Sequence, residues 1–114
     1  MFKVKKQADR TFWHEVVVHV PNDSGATTKV DYDIRFNLLT KAQEDELLKV
    51  PGDDYEEEWF KRHLCGWKRI EDEDGKAIEF SMEAALDILF QDRPHRTAIL
   101  TAYHQATNGQ RRKN

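Results

Sequence analysis

Five histidines, one cysteine and a run of four acids are the residues whose types could do chemistry in this chain. A cysteine nucleophile needs a lowered pKa and a base that reaches its sulfur. His63 lies two residues before Cys65, and Lys61, Arg62 and Lys68 are close enough in sequence to favour a thiolate. On a helix, however, residues two apart do not face each other. A small, apolar-tolerant residue closing a helix accounts for Cys65 without chemistry. The histidines have no zinc-site spacing. His14 and His19 fall on opposite faces of a strand, and His95 and His104 are nine apart. Glu71-Asp72-Glu73-Asp74 is acidic enough to attract a cation, but it lacks the ordered ligands of a calcium loop. The patterns GxxxxGK[ST], GxGxxG and GxSxG do not occur. The expectation is therefore a non-enzymatic protein with no metal and no cofactor.

With chemistry set aside, charge and aromatic side chains carry the argument. Residues 53–58 hold five acids in six positions, and Lys61, Arg62, Lys68 and Arg69 follow. One reading is a set of solvated faces. The other is a surface of opposite-sign patches that orients a partner or a second copy. The residues that could meet such a partner are Trp13, Val17, Glu56, Glu57, Glu58, Lys61, Arg62, Lys68 and Arg69. Trp67 beside Lys68-Arg69 resembles the interleaving used for single-stranded nucleic acid. The pI of about 5.9 and the acid runs oppose that use.

The elements that must position these residues are legible from spacing. The chain has 114 residues, a net charge of −3 and a single cysteine. That length suits one domain, residues 1–114. A lone cysteine allows no internal disulfide and fits a reducing compartment. No apolar run is long enough for a membrane span. The first ten residues lack the apolar core of a signal peptide. A cytoplasmic protein is expected.

Residues 1–10 read as a polar arm, 11–38 as a β part, 39–109 as a helical part and 110–114 as a basic tail. In the β part, Phe12, His14, Val16, Val18 and Val20 alternate with Trp13, Glu15, Val17 and His19. Val30, Tyr32, Ile34, Phe36 and Leu38 alternate with polar residues, so one face packs and one meets water. These strands make an antiparallel hairpin or part of a small sheet. Thr40 and Gln43 sit at capping-box spacing before a first helix. A second helix starts near Asp54, carries Tyr55, Trp59, Phe60 and Leu64, and is expected to stop at Gly66.

The stretch 67–108 organises the rest. Two short extended pieces, Trp67 to Ile70 and Ala77 to Phe80, flank an acidic turn in which Asp74-Gly75 supplies the positive φ. Ser81 suits a helix N-cap. Met82, Ala85, Leu86 and Leu89 recur at helical spacing. Pro94 ends that helix and starts the next, whose stripe is Ile99, Ala102, Tyr103 and Ala106. The fold class expected is α+β: a hairpin or small sheet, then about four helices.

An ordered set of these features resembles the tail assembly chaperones of long-tailed bacteriophages. The set is Trp67, Ile70, Asp72, Asp74-Gly75, Phe80-Ser81-Met82-Glu83, Ala102-Tyr103, Gly109 and Lys113-Asn114. Phe12-Trp13, Val16, Val18 and Val20-Pro21 look similar as well. The resemblance implies a phage or prophage protein of the bacterial host cytoplasm that binds the tape measure protein during tail morphogenesis. It implies the tail tube protein as a further partner and no catalytic residues. A homo-oligomer is expected from apolar residues left on the sheet's second face. Two alternatives stay open: a nucleic-acid-binding regulator of a mobile element, and a structural head or tail completion protein.

Overall fold

The computed structural model describes residues 1–3 and 10–109. The chain is an α+β protein in which a three-stranded antiparallel sheet, in the order β1-β2-β3, is covered on one face by helices. Strand β1 is Thr11–Pro21 and β2 is Thr27–Asn37. They form the expected hairpin, in register from Thr11 opposite Asn37 to Pro21 opposite Thr27. The Asn22 side chain organises its turn, accepting from the Ser24 and Ala26 backbone N–H groups, and Gly25 supplies φ +84°. Alternation then sorts the two faces. Val16, Val18, Tyr32, Ile34 and Phe36 are buried, while Trp13 and Arg35 are exposed on the other side.

Helix α1, Lys41–Leu48, opens with the capping box read from the sequence. Thr40 Oγ1 accepts from Gln43 N at 3.2 Å, and Gln43 Oε1 accepts from Thr40 N at 2.8 Å. Helix α2, Gly52–His63, has Asp53 and Asp54 in its first turn and Lys61, Arg62 and His63 in its last. Both ends therefore suit the helix dipole.

The helical part is interrupted by a third strand, which overlaps the short extended piece expected from Trp67 but starts earlier, at Leu64. Helix α2 ends at His63 rather than running to Gly66, and β3, Leu64–Lys68, returns to pair with β2. Intrinsic preference is weak in Leu64-Cys65-Gly66-Trp67-Lys68, so pairing decides. The free side of β2 would otherwise present unpaired backbone groups. Asn37 Nδ2 fixes the junction by donating to the Arg62 carbonyl at 3.1 Å. The register slips between Arg35, opposite Gly66, and Phe36, opposite Leu64, so Cys65 is the extra residue of a bulge.

Beyond β3 the chain makes its acidic turn. Gly75 has φ +81°, Asp72 Oδ1 accepts from Asp74 N and Lys76 N, and Glu71 bridges Ala77. Helix α3, Met82–Ala85, is capped by Ser81, whose hydroxyl accepts from Ala84 N at 3.0 Å. It runs on into a π-helical turn over Leu86–Phe90. Helix α4, Arg93–Thr107, has Pro94 in its first turn. Ile99, Ala102 and Tyr103 face the sheet as one buried stripe. Tyr103 meets Phe36, Phe12 and Trp59 at centroid distances of 5.4, 5.9 and 5.5 Å. The expected arm falls largely and the expected basic tail entirely outside the described residues, as do Lys113-Asn114.

Candidate functional site

The nine residues singled out for partner binding do not converge. Trp13, Val17, Lys68 and Arg69 belong to the outer sheet face and the exit of β3, and Glu56, Glu57, Glu58, Lys61 and Arg62 belong to α2. On the sheet, Lys68 Nζ sits 4.3 Å from the Trp13 ring centroid. The indole also reaches across to Gly66, where an added Cβ would lie 3.7 Å from Trp13 Cη2 and 3.3 Å from Arg35 Cβ. Arg69 has φ +69°, unusual for a residue with a Cβ. From there its guanidinium donates to Asp33 and Glu15 at 3.0 Å and to Asp31 at 2.7 Å. The Arg69 guanidinium is therefore spent on three local carboxylates.

Four charges of α2 are likewise paired within the molecule. Lys61 meets Glu57 at 3.3 Å and Arg62 meets Glu58 at 3.2 Å, each one helical turn apart. The expected contrast between residues 53–58 and 61–69 is to that extent neutralised along one helix. Such a contrast would orient a partner only weakly.

Glu56 is the exception, because it points toward another element. Glu56 Oε2 lies 3.1 Å from Arg96 Nε on α4. The pair spans a groove of about 370 Å³ between α2 and α4. From α2 the lining residues are Tyr55, Glu56, Trp59 and Phe60; from α4 they are Arg93, Arg96, Thr97 and Leu100. The floor is aromatic: Trp59 and Phe60 are buried, and Phe60 packs edge-on against Phe90 at 5.1 Å. Leu100 on the wall is 39% exposed, a leucine left facing solvent beside an apolar floor. Arg96 is held from behind. Its Nη1 donates to the Phe90 carbonyl at 2.8 Å, and its guanidinium lies 5.4 Å from the Phe90 centroid. Arg93 makes no ion pair among the described residues.

The α4 wall escaped the sequence reading although its signal was present. Arg93, Arg96, Thr97 and Leu100 follow the i, i+3, i+4, i+7 spacing of a single helix face. They are displaced from the buried stripe Ile99, Ala102, Tyr103. One leucine among three polar residues was too weak a contrast to mark that face as a binding wall.

The histidines take structural positions. His63 is 3% exposed, stacked on Trp59 at 4.0 Å and edge-on to Tyr103 at 4.5 Å. Its Nδ1 donates to the Trp59 carbonyl at 2.9 Å, since a carbonyl can only accept. Burial pushes its pKa down to about 4. His95 joins two elements: Nε2 faces Asp92 at 3.4 Å, and Nδ1 accepts from the Tyr32 hydroxyl at 2.7 Å. Burial raises the Tyr32 pKa, so the hydroxyl keeps its proton and stays a donor. Burial also pushes the Cys65 thiol up, away from the thiolate that a nucleophile needs. Among the described residues no group of three or more His, Cys, Asp or Glu side chains is placed to hold a metal ion. None of their helices is long and apolar enough to cross a membrane.

Comparison with protein-family models, with curated proteins and with solved structures returns no match.

Proposed function

We propose that this chain is a non-enzymatic protein-binding factor, and that its work is that of a phage tail assembly chaperone in the bacterial cytoplasm. The observation that carries the binding reading is the α2–α4 groove, with its buried aromatic floor and its exposed Leu100 wall. A groove of that kind suits an amphipathic helix, whose apolar face supplies affinity through anchors one turn apart. A tape measure protein offers such helices in long succession and needs them covered before the tail tube assembles around it. The ordered motifs at Trp67, Asp74-Gly75, Phe80-Ser81 and Ala102-Tyr103 support that choice of partner.

Co-expression with the candidate tape measure protein tests the reading. The expected result is more soluble partner and a complex recovered at low salt, both reduced by Leu100→Glu. A partner equally soluble with and without this chain, with no complex recovered, sinks it. Self-association belongs to the same proposal. Trp13, 43% exposed on the outer sheet face, is its candidate contact. Sedimentation of the full chain at rising concentration should show a dimer that Trp13→Ser weakens, and a strictly monomeric profile would refute it.

A further inference from the structure

The pair that spans the groove has two unequal members. Arg96 is three-quarters buried and held by the Phe90 carbonyl and ring as well as by Glu56. Glu56 is 68% exposed, and among the described residues it pairs with Arg96 alone. A long, exposed carboxylate pays little to swing into water, because exposed ion pairs contribute little net stability. The guanidinium, three-quarters buried, would then keep the Phe90 carbonyl and ring but no carboxylate. It needs a replacement acceptor, and a partner's carboxylate supplies one.

We infer that Glu56 is a built-in competitor: it holds on Arg96 the place that a carboxylate of an incoming amphipathic helix takes. The occupant is thereby specified as a helix with apolar anchors toward Trp59, Phe60 and Leu100 and an acidic residue beside them. Arg93, on the same wall and without an ion pair among the described residues, adds a second positive charge to that lip. Two guanidiniums against one mobile carboxylate leave the lip net positive once Glu56 moves away. The groove runs from Arg93 to Leu100, two turns of α4, which matches two or three anchors on the occupant. This inference rests on the groove being a protein-binding site, and it fixes the charge of what binds there.

The probe is a capped amphipathic peptide of about 16 residues, long enough to be helical. It carries Leu at i, i+3 and i+7 with flanking Glu, and its control has Gln for every Glu. Binding to the full-length protein is measured by calorimetry, and the site is located by amide shifts at Tyr55 and Leu100. The Glu peptide should bind more tightly than the control. Glu56→Gln should tighten the Glu peptide about threefold to fivefold, the size expected for removing an exposed competitor. Arg96→Gln should abolish the preference for Glu over Gln. Glu56→Gln alone decides the matter should Arg96→Gln fail to fold, because residue 56 is exposed. If both peptides shift Tyr55 and Leu100 but Glu56→Gln changes neither affinity, the competitor is refuted and the groove reading survives. If neither peptide binds, both fall. If the protein forms a dimer that Leu100→Glu dissolves, the groove takes a second copy and the acidic-helix occupant is refuted.

Discussion

Trp67 is fixed on three sides, and its loss should be felt throughout the link between β3 and α3. It sits opposite Ile34 in the sheet, donates from Nε1 to the Ile78 carbonyl at 2.7 Å, and meets Phe80 edge-on at 5.3 Å. Trp67→Ala removes a large buried aromatic and should cost about 3–5 kcal/mol in denaturant unfolding. Trp67→Phe keeps the ring contact but orphans the carbonyl, and should fall between. His63 makes the pH dependence. Its folded pKa is lowered, so the folded state binds fewer protons than the unfolded one between the two values. Stability is then complete above about pH 6.5 and declines as pH falls toward about 4. The loss is on the order of 3 kcal/mol across that window. His95, lowered by burial as well, adds in the same direction. Denaturant titrations at pH 7, 5.5 and 4 should show the decline, and His63→Gln should flatten it while lowering stability at pH 7. A His63→Gln profile as steep as that of the native chain would contradict this.

Among the elements, β3 and its exit repay attention. Arg69 holds a left-handed conformation that costs a residue with a Cβ roughly 1–2 kcal/mol. It stays there because its guanidinium reaches Asp33, Glu15 and Asp31. Arg69→Ala keeps the strain and loses the contacts, whereas Arg69→Gly loses the contacts and the strain together. Arg69→Gly should therefore melt higher than Arg69→Ala, and the opposite order would mean that the backbone is not strained. The β1–β2 hairpin was legible because β-branched residues alternate with polar ones over both strands. The Thr40–Gln43 box, the Asp74-Gly75 turn and the Ser81 cap were legible because each is a local contact within four residues. Of β3 only a short extended piece from Trp67 was legible, since its pairing is set by β2, about thirty residues earlier in the chain. The π-helical turn over Leu86–Phe90 carries no local signal either. Of the candidate site, Glu56 was identified for its charge, but its partner Arg96 lies forty residues away, and no local spacing links them.

At the scale of the molecule, part of the acid–base pattern is spent internally. The pairs on α2 and the Arg69 cluster satisfy it in place, while charge and exposed apolar area coincide at the groove and at Trp13 beside Lys68. Raising salt should accordingly change the stability of the free protein little, because its exposed pairs contribute little. A steep fall in melting temperature between low and high salt would show these pairs to matter more. The packing of α4 against the hairpin has a temporal consequence as well. Phe12 and Phe36 are translated long before Tyr103, the ring that covers them. During synthesis the hairpin can form early, but its inner face stays wet until α4 has emerged. For that interval the nascent chain itself displays the kind of apolar surface that a folding helper recognises.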